Sequence, residues 1–261
     1  MFIHGLWLSA SSWRPWIDLF ESHGYAGVAP GWPGEAETVT ETRAHPQAQA
    51  GYGITEVAEH FARAATALPA RPIAIGHSFG GLIAQNLLTR GLAAAAVAID
   101  PAQIKGVLPL PFAQLRSGFP VLGNPANRKR AVALTPAQFR YGFGNTLTAE
   151  ESRELYDLWT IPSPGRPLFQ AAFANLVPHS PAAVDTRNNE RGPLLMLSGT
   201  QDHTVPAVVT RAACKRYHNS RAVTEYREVS ERGHSLTIDS GWRDVARVSL
   251  DWLDSQGFGG R

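Results

Sequence analysis

The chain is short of the features that would set it apart from ordinary globular proteins. One cysteine, Cys214, stands among 261 residues, so an intramolecular disulfide and a cysteine metal cluster are both excluded. Beside Ala213 in an expected helix, it reads as an inert packed thiol. Apolar residues never run long enough to span a bilayer as a helix. Cations are not concentrated either: the formal net charge is +2 and the longest basic run is Arg128-Lys129-Arg130. Phosphate recognition needs clustered cations, so neither a nucleic acid nor a membrane surface is expected as a partner, and the three-residue run reads as a solvated loop. His45, His60, His179 and His218 have no metal-ligand spacing with a carboxylate, and no metal is expected. The amino end, Met1-Phe2-Ile3-His4-Gly5, lacks a charged segment followed by an apolar one of signal-peptide length, which makes the cytoplasm the expected location. The sequence carries no internal repeat and nothing that fixes an oligomeric state.

What is present is a rhythm. Hydrophobic residues make up 44% and charged residues 18% of the chain, enough to bury one large core. Phe2-Ile3 is a stub of strand, followed by Trp13, Trp16, Ile17 and Phe20 at helical spacing. Ala26 to Ala29 reads as a second buried strand, closed by the turn cluster at 30–34, and the polar stretch to Gly53 reads as a surface excursion. Ile54, Val57, Ala58, Phe61, Ala65 and Leu68 form an amphipathic helix stopped by Pro69. Apolar strands follow at 73–76, 94–99 and 193–198, and a last strand is read around 222–229; Trp242 to Leu253 closes the core as a helix, with a frayed tail at 257–261. Apolar strands alternating with helices predict an α/β fold, a mostly parallel sheet covered by helices on both faces. Residues 103–190 break the rhythm. Capping boxes at Thr135–Gln138 and Thr148–Glu151, and Ser163-Pro164 as cap and first turn, predict helices there. The chain is thus divided into a core, 1–102 and 191–261, and a helical insertion, 103–190, lying over the carboxyl edge of the sheet.

The chemistry gathers at that edge. Gly76-His77-Ser78-Phe79-Gly80 is G-x-S-x-G between an apolar strand and a helical pattern, which places Ser78 on a tight turn at a strand end. Asp202 and His234 follow in loops after later strands, giving the order Ser78, Asp202, His234. A hydroxyl is a poor nucleophile at neutral pH, so an imidazole must take its proton and a carboxylate must hold that imidazole. Asp100 also follows a strand and is the weaker candidate for the acid, because Pro101 comes directly after it. His4, His77 and His203 read as supports for their loops. Trp7, Phe79, Phe112, Phe143, Trp159 and Phe173 are candidates to line an apolar substrate pocket, with Trp7, Trp159 and Phe173 put first.

These residues give the chain its resemblance to the α/β-hydrolase fold superfamily, over most of its length: His4-Gly5 after the first strand, the elbow at 76–81, the Gly199-x-x-Asp202-x-x-Val205-Pro206 loop, and Gly233-His234-Ser235. In detail it is similar to small capped carboxylesterases and to cofactor-free haloperoxidase-like or hydroxynitrile-lyase-like members. The resemblance implies Ser78 as nucleophile, His234 as base and then acid, Asp202 as orienting carboxylate, and the backbone NH groups of Leu6 and Phe79 as oxyanion hole, with no cofactor. It also implies that insertion 103–190 is a cap. Many members begin with two antiparallel strands that are missing here, so either the sheet is reduced, as in the lyase-like branch, or the start of the chain has been clipped. The implied activity is hydrolysis of an ester, lactone or thioester of a small to medium hydrophobic substrate through an acyl-enzyme. Two other outcomes stay open on the same residues: a hydroxynitrile lyase or perhydrolase, or a ligand-binding, receptor-like protein.

Overall fold

The computed structural model describes residues 1–259. Strand β1 (Phe2–Ile3) leads through the loop containing His4 and Gly5 to α1 (Arg14–Glu21), α2 (Val39–Ala44) and α3 (Ile54–Thr66). Then come β2 (Ile73–His77), α4 (Phe79–Thr89) and β3 (Ala95–Ile99). The insertion contributes α5 (Phe112–Leu122), β4 (Ala131–Val132), α6 (Pro136–Gly142), α7 (Ala149–Trp159), β5 (Ser163–Pro164) and α8 (Arg166–Ala172). The core resumes with β6 (Leu194–Gly199), α9 (Ala207–Lys215), β7 (Thr224–Val229) and α10 (Trp242–Ser255).

Five of these strands form one parallel sheet in the order β1-β2-β3-β6-β7. Because side chains alternate along a strand, each strand feeds two layers. Ile75, Val97, Ile99, Leu195 and Leu197 pack with Trp16 and Phe20 of α1 and Leu250 and Leu253 of α10. Ala74, Ala96, Ala98 and Met196 face the other way, onto α3, α4 and α9 through Phe61, Leu87 and Val209. Small residues on that second face let α4 sit close over the sheet centre. With all strands parallel, β2, β3, β6 and β7 end on one edge, and the loops that follow them are brought together there.

The structure corrects three local expectations. Ala26–Ala29 forms no strand; it is tied to the outer edge of β1 by one hydrogen bond, Phe2 N to Val28 O at 2.8 Å, since β1 is only two residues long. The last strand forms as expected, as β7, and its Glu225, Arg227 and Glu228 suit a place at the sheet edge, where charge blocks further pairing. Ser163-Pro164 does not cap a helix but pairs antiparallel with Ala131–Val132, and α8 starts at Arg166 behind Gly165. The Thr135–Gln138 box forms in both directions, whereas Glu151 accepts from Ser240 N instead of closing the second box. Of the tail expected to fray, the last two residues lie outside the described ones, and Phe258 is held, its N–H on Leu253 O and its ring against the α1/α10 layer. Among the described residues no helix is long and apolar enough to cross a membrane.

Candidate active site

The turn from β2 to α4 has almost no room. A Cβ on Gly76 would stand 2.1 Å from Gly80 O, and one on Gly80 would stand 2.0 Å from Ile3 O. Only glycine permits that approach, and the residue between is held at φ 56°, ψ −121°, a conformation that costs an ordinary residue about 1–3 kcal/mol. That residue is Ser78. Its N–H donates to Ile99 O at 2.9 Å and its carbonyl accepts from Gly81, Leu82 and Ala102, so the strain is locked from both sides. The side chain stands at the head of α4, where the first amides have no partner in the helix ladder. Phe79 N is one of these, and neither it nor Leu6 N has an acceptor among the described residues.

Leu6 is brought to Ser78 by the loop after β1. A Cβ on Gly5 would lie 2.6 Å from Ser78 Cβ, so this loop rests directly on the serine. Two anchors hold it. Buried His4 places Nε2 2.8 Å from Glu35 Oε2, and Glu35 Oε1 accepts from Ala10 N at 2.8 Å and from Ser9 Oγ at 3.0 Å. Burial alone would raise the Glu35 carboxyl, but the His4 charge and these donors outweigh it and hold the group below its ordinary value. The second anchor is Trp7, at φ 67°. Its N–H donates to Ser163 Oγ at 2.7 Å and its indole Nε1 to Val132 O at 3.0 Å, which ties the loop to the small ladder of the insertion.

His234 and Asp202 meet on the same edge. Nδ1 of His234 lies 2.6 Å from Asp202 Oδ2, and both side chains are buried. Asp202 Oδ1 accepts from Thr204 N at 2.6 Å and Val205 N at 2.8 Å. A carboxylate can only accept in this arrangement, so the imidazole proton sits on Nδ1 and Nε2 presents a lone pair. Nε2 makes no hydrogen bond with protein. The ring packs 4.5 Å from His77, the neighbour of Ser78, and 4.8 Å from Phe143 of the insertion, centroid to centroid.

Asp100 is drawn in as well. At φ 41° its Oδ1 accepts from Gly199 N at 2.8 Å, while Oδ2 has no partner and lies 3.9 Å from His234 Nδ1. Burial, reinforced by the neighbouring Asp202 charge, pushes the Asp100 carboxyl well above its ordinary range. The geometry therefore gives His234 to Asp202 and keeps Asp100 behind it. Burial likewise holds His77 well below the ordinary histidine value, with the nearby His234 adding to it. His77, Asp100 and His234 are the one group among the described residues whose ligand-type atoms cluster, all within 4.8 Å. A cation there would compete for the imidazole that Asp202 already holds.

An apolar cavity of about 90 Å³ opens at Ser78. Phe79, Val205, Leu110, Leu115, Leu122 and Leu168 form much of its wall, with Gln103 and Gln114 as polar points. Of the pocket candidates from sequence, Trp7 and Phe79 line it, whereas Phe112 is left exposed and Phe143 packs against His234. Trp159 does not line it: it faces a surface depression with Arg14 and Trp242. Phe173 does not either, lying exposed beyond the end of α8 in a groove with Arg128 and Val177. Their place is taken by α5, whose apolar residues gave no signal of which side would face the sheet. Glu35 and Ser163 were also invisible: Glu35 sits in a polar stretch without periodicity, and Ser163 suggested a helix cap.

A sequence model of the alpha/beta hydrolase family matches residues 1–248. No curated protein matches the chain by sequence. Among solved structures, a monoacylglycerol lipase from Paleococcus ferrophilus superposes with a TM-score of 0.67 at 19% identity, covering 98% of this chain and 93% of its own. A pyrethroid hydrolase from Sphingobium faniae gives 0.69 at 16% identity, covering 97% and 96%. Polyneuridine aldehyde esterase gives 0.65 at 18% identity, covering 97% and 98%. At these identities the likeness is one of fold.

Proposed function

Because the chain belongs to the alpha/beta hydrolase family, we propose that it is a serine esterase that cleaves an ester, lactone or thioester of a small to medium hydrophobic substrate, with Ser78, His234 and Asp202 as its triad. The observation that carries this reading is a strained, turn-mounted Ser78 whose neighbour His77 packs 4.5 Å from an imidazole with Nδ1 held by Asp202 at 2.6 Å and Nε2 without a hydrogen-bond partner. In a substrate-free site the contact between nucleophile and base is commonly long and tightens on binding.

In this mechanism Nε2 of His234 takes the Ser78 proton as Oγ attacks the carbonyl carbon. Negative charge collects on the substrate oxygen, where the amides of Leu6 and Phe79 receive it; losing one such donor typically costs about 10²–10³ in rate. The imidazolium, stabilised by Asp202, returns the proton to the leaving alcohol. Water then enters, gives its proton to Nε2 and releases the acid, restoring Ser78. The apolar wall favours a neutral, hydrophobic group beside the serine. The reaction as written draws only on protein groups and water.

Turnover of p-nitrophenyl acetate and butyrate tests the reading. Release of alcohol and acid in equal amounts is expected, falling at least about 10⁴-fold in Ser78→Ala. Retained turnover in that variant, or cleavage of cyanohydrins or formation of peracids without ester hydrolysis, would contradict it.

A further inference from the structure

The insertion leaves an apolar face in water. Leu108 is 78%, Phe112 77% and Phe119 69% exposed. Among the described residues, eight of the twelve exposed large hydrophobics fall within 108–119 or 173–177. The two stretches are one surface. Lys105 Nζ donates to Val177 O at 2.8 Å, Asn175 Oδ1 accepts from Gly106 N at 2.6 Å, and Asn175 Nδ2 donates to Val107 O at 2.7 Å. Contiguous apolar area of this kind marks a contact surface on a folded protein.

Charge along the stretches that build the face is of one sign. From Pro101 to Ala149 the sequence has no aspartate or glutamate, yet it carries Lys105, Arg116, Arg128, Lys129, Arg130 and Arg140. Residues 158–184 also lack a carboxylate. A whole-chain charge of +2 conceals this division. Arg116 lies one turn from both Phe112 and Phe119 on α5, and Arg128 shares a groove with Phe173 and Val177. Exposed aromatic and aliphatic side chains on stretches that carry cations and no carboxylate fit an interface that is apolar inside and anionic at its surface.

We propose that this face, centred on Phe112, Leu115 and Phe119, docks on an anionic lipid surface. A second copy of the chain is a poorer occupant, because a two-fold contact would set the same cations against one another. Continuity with the cavity adds to the argument. Leu110 and Leu115 are 53% and 44% exposed and also line the cavity at Ser78. An apolar molecule could therefore pass from the lipid layer to the serine along protein surface, without crossing open water. Docking itself does not depend on the chemistry assigned to Ser78.

Cosedimentation with phosphatidylcholine vesicles, with and without phosphatidylglycerol, tests the proposal. Binding is expected on the anionic vesicles and to fall with added salt. Each cation near such a surface contributes about fivefold to partitioning, so Arg128→Gln/Lys129→Gln/Arg130→Gln is expected to weaken binding at least about tenfold. Phe112→Ser/Phe119→Ser is expected to weaken it by a similar factor or more. Neither aromatic lines the cavity, so turnover of soluble esters should be unchanged in that variant, and Ser78→Ala should bind vesicles like the parent. Absence of binding to anionic vesicles would overturn the proposal, as would binding that both surface variants retain. So would a concentration-dependent dimer, in sedimentation velocity, that Phe112→Ser/Phe119→Ser dissolves while the parent ignores vesicles.

Discussion

Two carboxylates stand near His234, and their surroundings differ. Asp202 has three donors in its reach, Thr204 N, Val205 N and His234 Nδ1. Asp100 has one, and an oxygen with none. Asp202→Asn is therefore expected to lower kcat for ester hydrolysis about 10⁴-fold with the fold intact, since the amide would favour the wrong imidazole tautomer. Asp100 gives a prediction about stability. A carboxyl whose folded-state pKa is raised stabilises the fold fully below its unfolded value near 4 and loses that contribution as pH rises through the folded value. Asn keeps the shape and tolerates positive φ, so Asp100→Asn should gain Tm relative to the parent between pH 4 and pH 7. Equal shifts of Tm at both pH values would contradict the account. The motif put Asp202 before Asp100, and Asp202 is the one that lies 2.6 Å from His234 Nδ1; the proximity of Asp100 to His234 depends on how β3 and β6 pair, which no local pattern encodes.

At the scale of elements, the elbow and the loop after β1 are built as one unit. The strand-turn-helix of β2 and α4 was legible because glycine spacing and apolar runs are local signals. What the glycines clear space for was not: Gly80 makes room for Ile3 O, and Gly5 for Ser78 itself. Gly76→Ala must push Gly80 O away from 2.1 Å, whereas Gly91, at φ 72° with open space around it, carries only the left-handed penalty of about 1–2 kcal/mol. Gly76→Ala should fail to give soluble folded protein, and Gly91→Ala should fold with a modest fall in Tm in thermal melts. The loop after β1 rests on Glu35, which the polar composition of its stretch concealed. Removing one member of a buried pair costs about 3–5 kcal/mol, so Glu35→Gln should lower stability by an amount of that order. Its effect on kcat should exceed its effect on KM, because the Leu6 amide would be displaced while the cavity wall stays in place.

For the molecule as a whole, the alternation of apolar strands and helices made the parallel sheet readable, and with it the edge where the site would form. The insertion was readable as helical but not in its orientation. Helix α5 is apolar on most sides, so its sequence does not distinguish the residues that wall the cavity, Leu115 and Leu122, from Phe112 and Phe119, which do not reach it. Trp159 and Phe173 were misplaced for the same reason. If the cavity selects the acyl or alcohol group, Leu168→Trp should narrow it and raise KM for butyrate over acetate esters, while Trp159→Ala leaves the chain-length profile unchanged.

The central claim is that Ser78 is a nucleophile activated by His234. Treating the folded protein with a fluorophosphonate and mapping the adduct by peptide mass spectrometry tests this most directly. The account predicts one adduct, on Ser78, absent from Ser78→Ala and formed far more slowly by a folded His234→Ala variant. Folded protein that takes no label, or label that persists in Ser78→Ala, would contradict it.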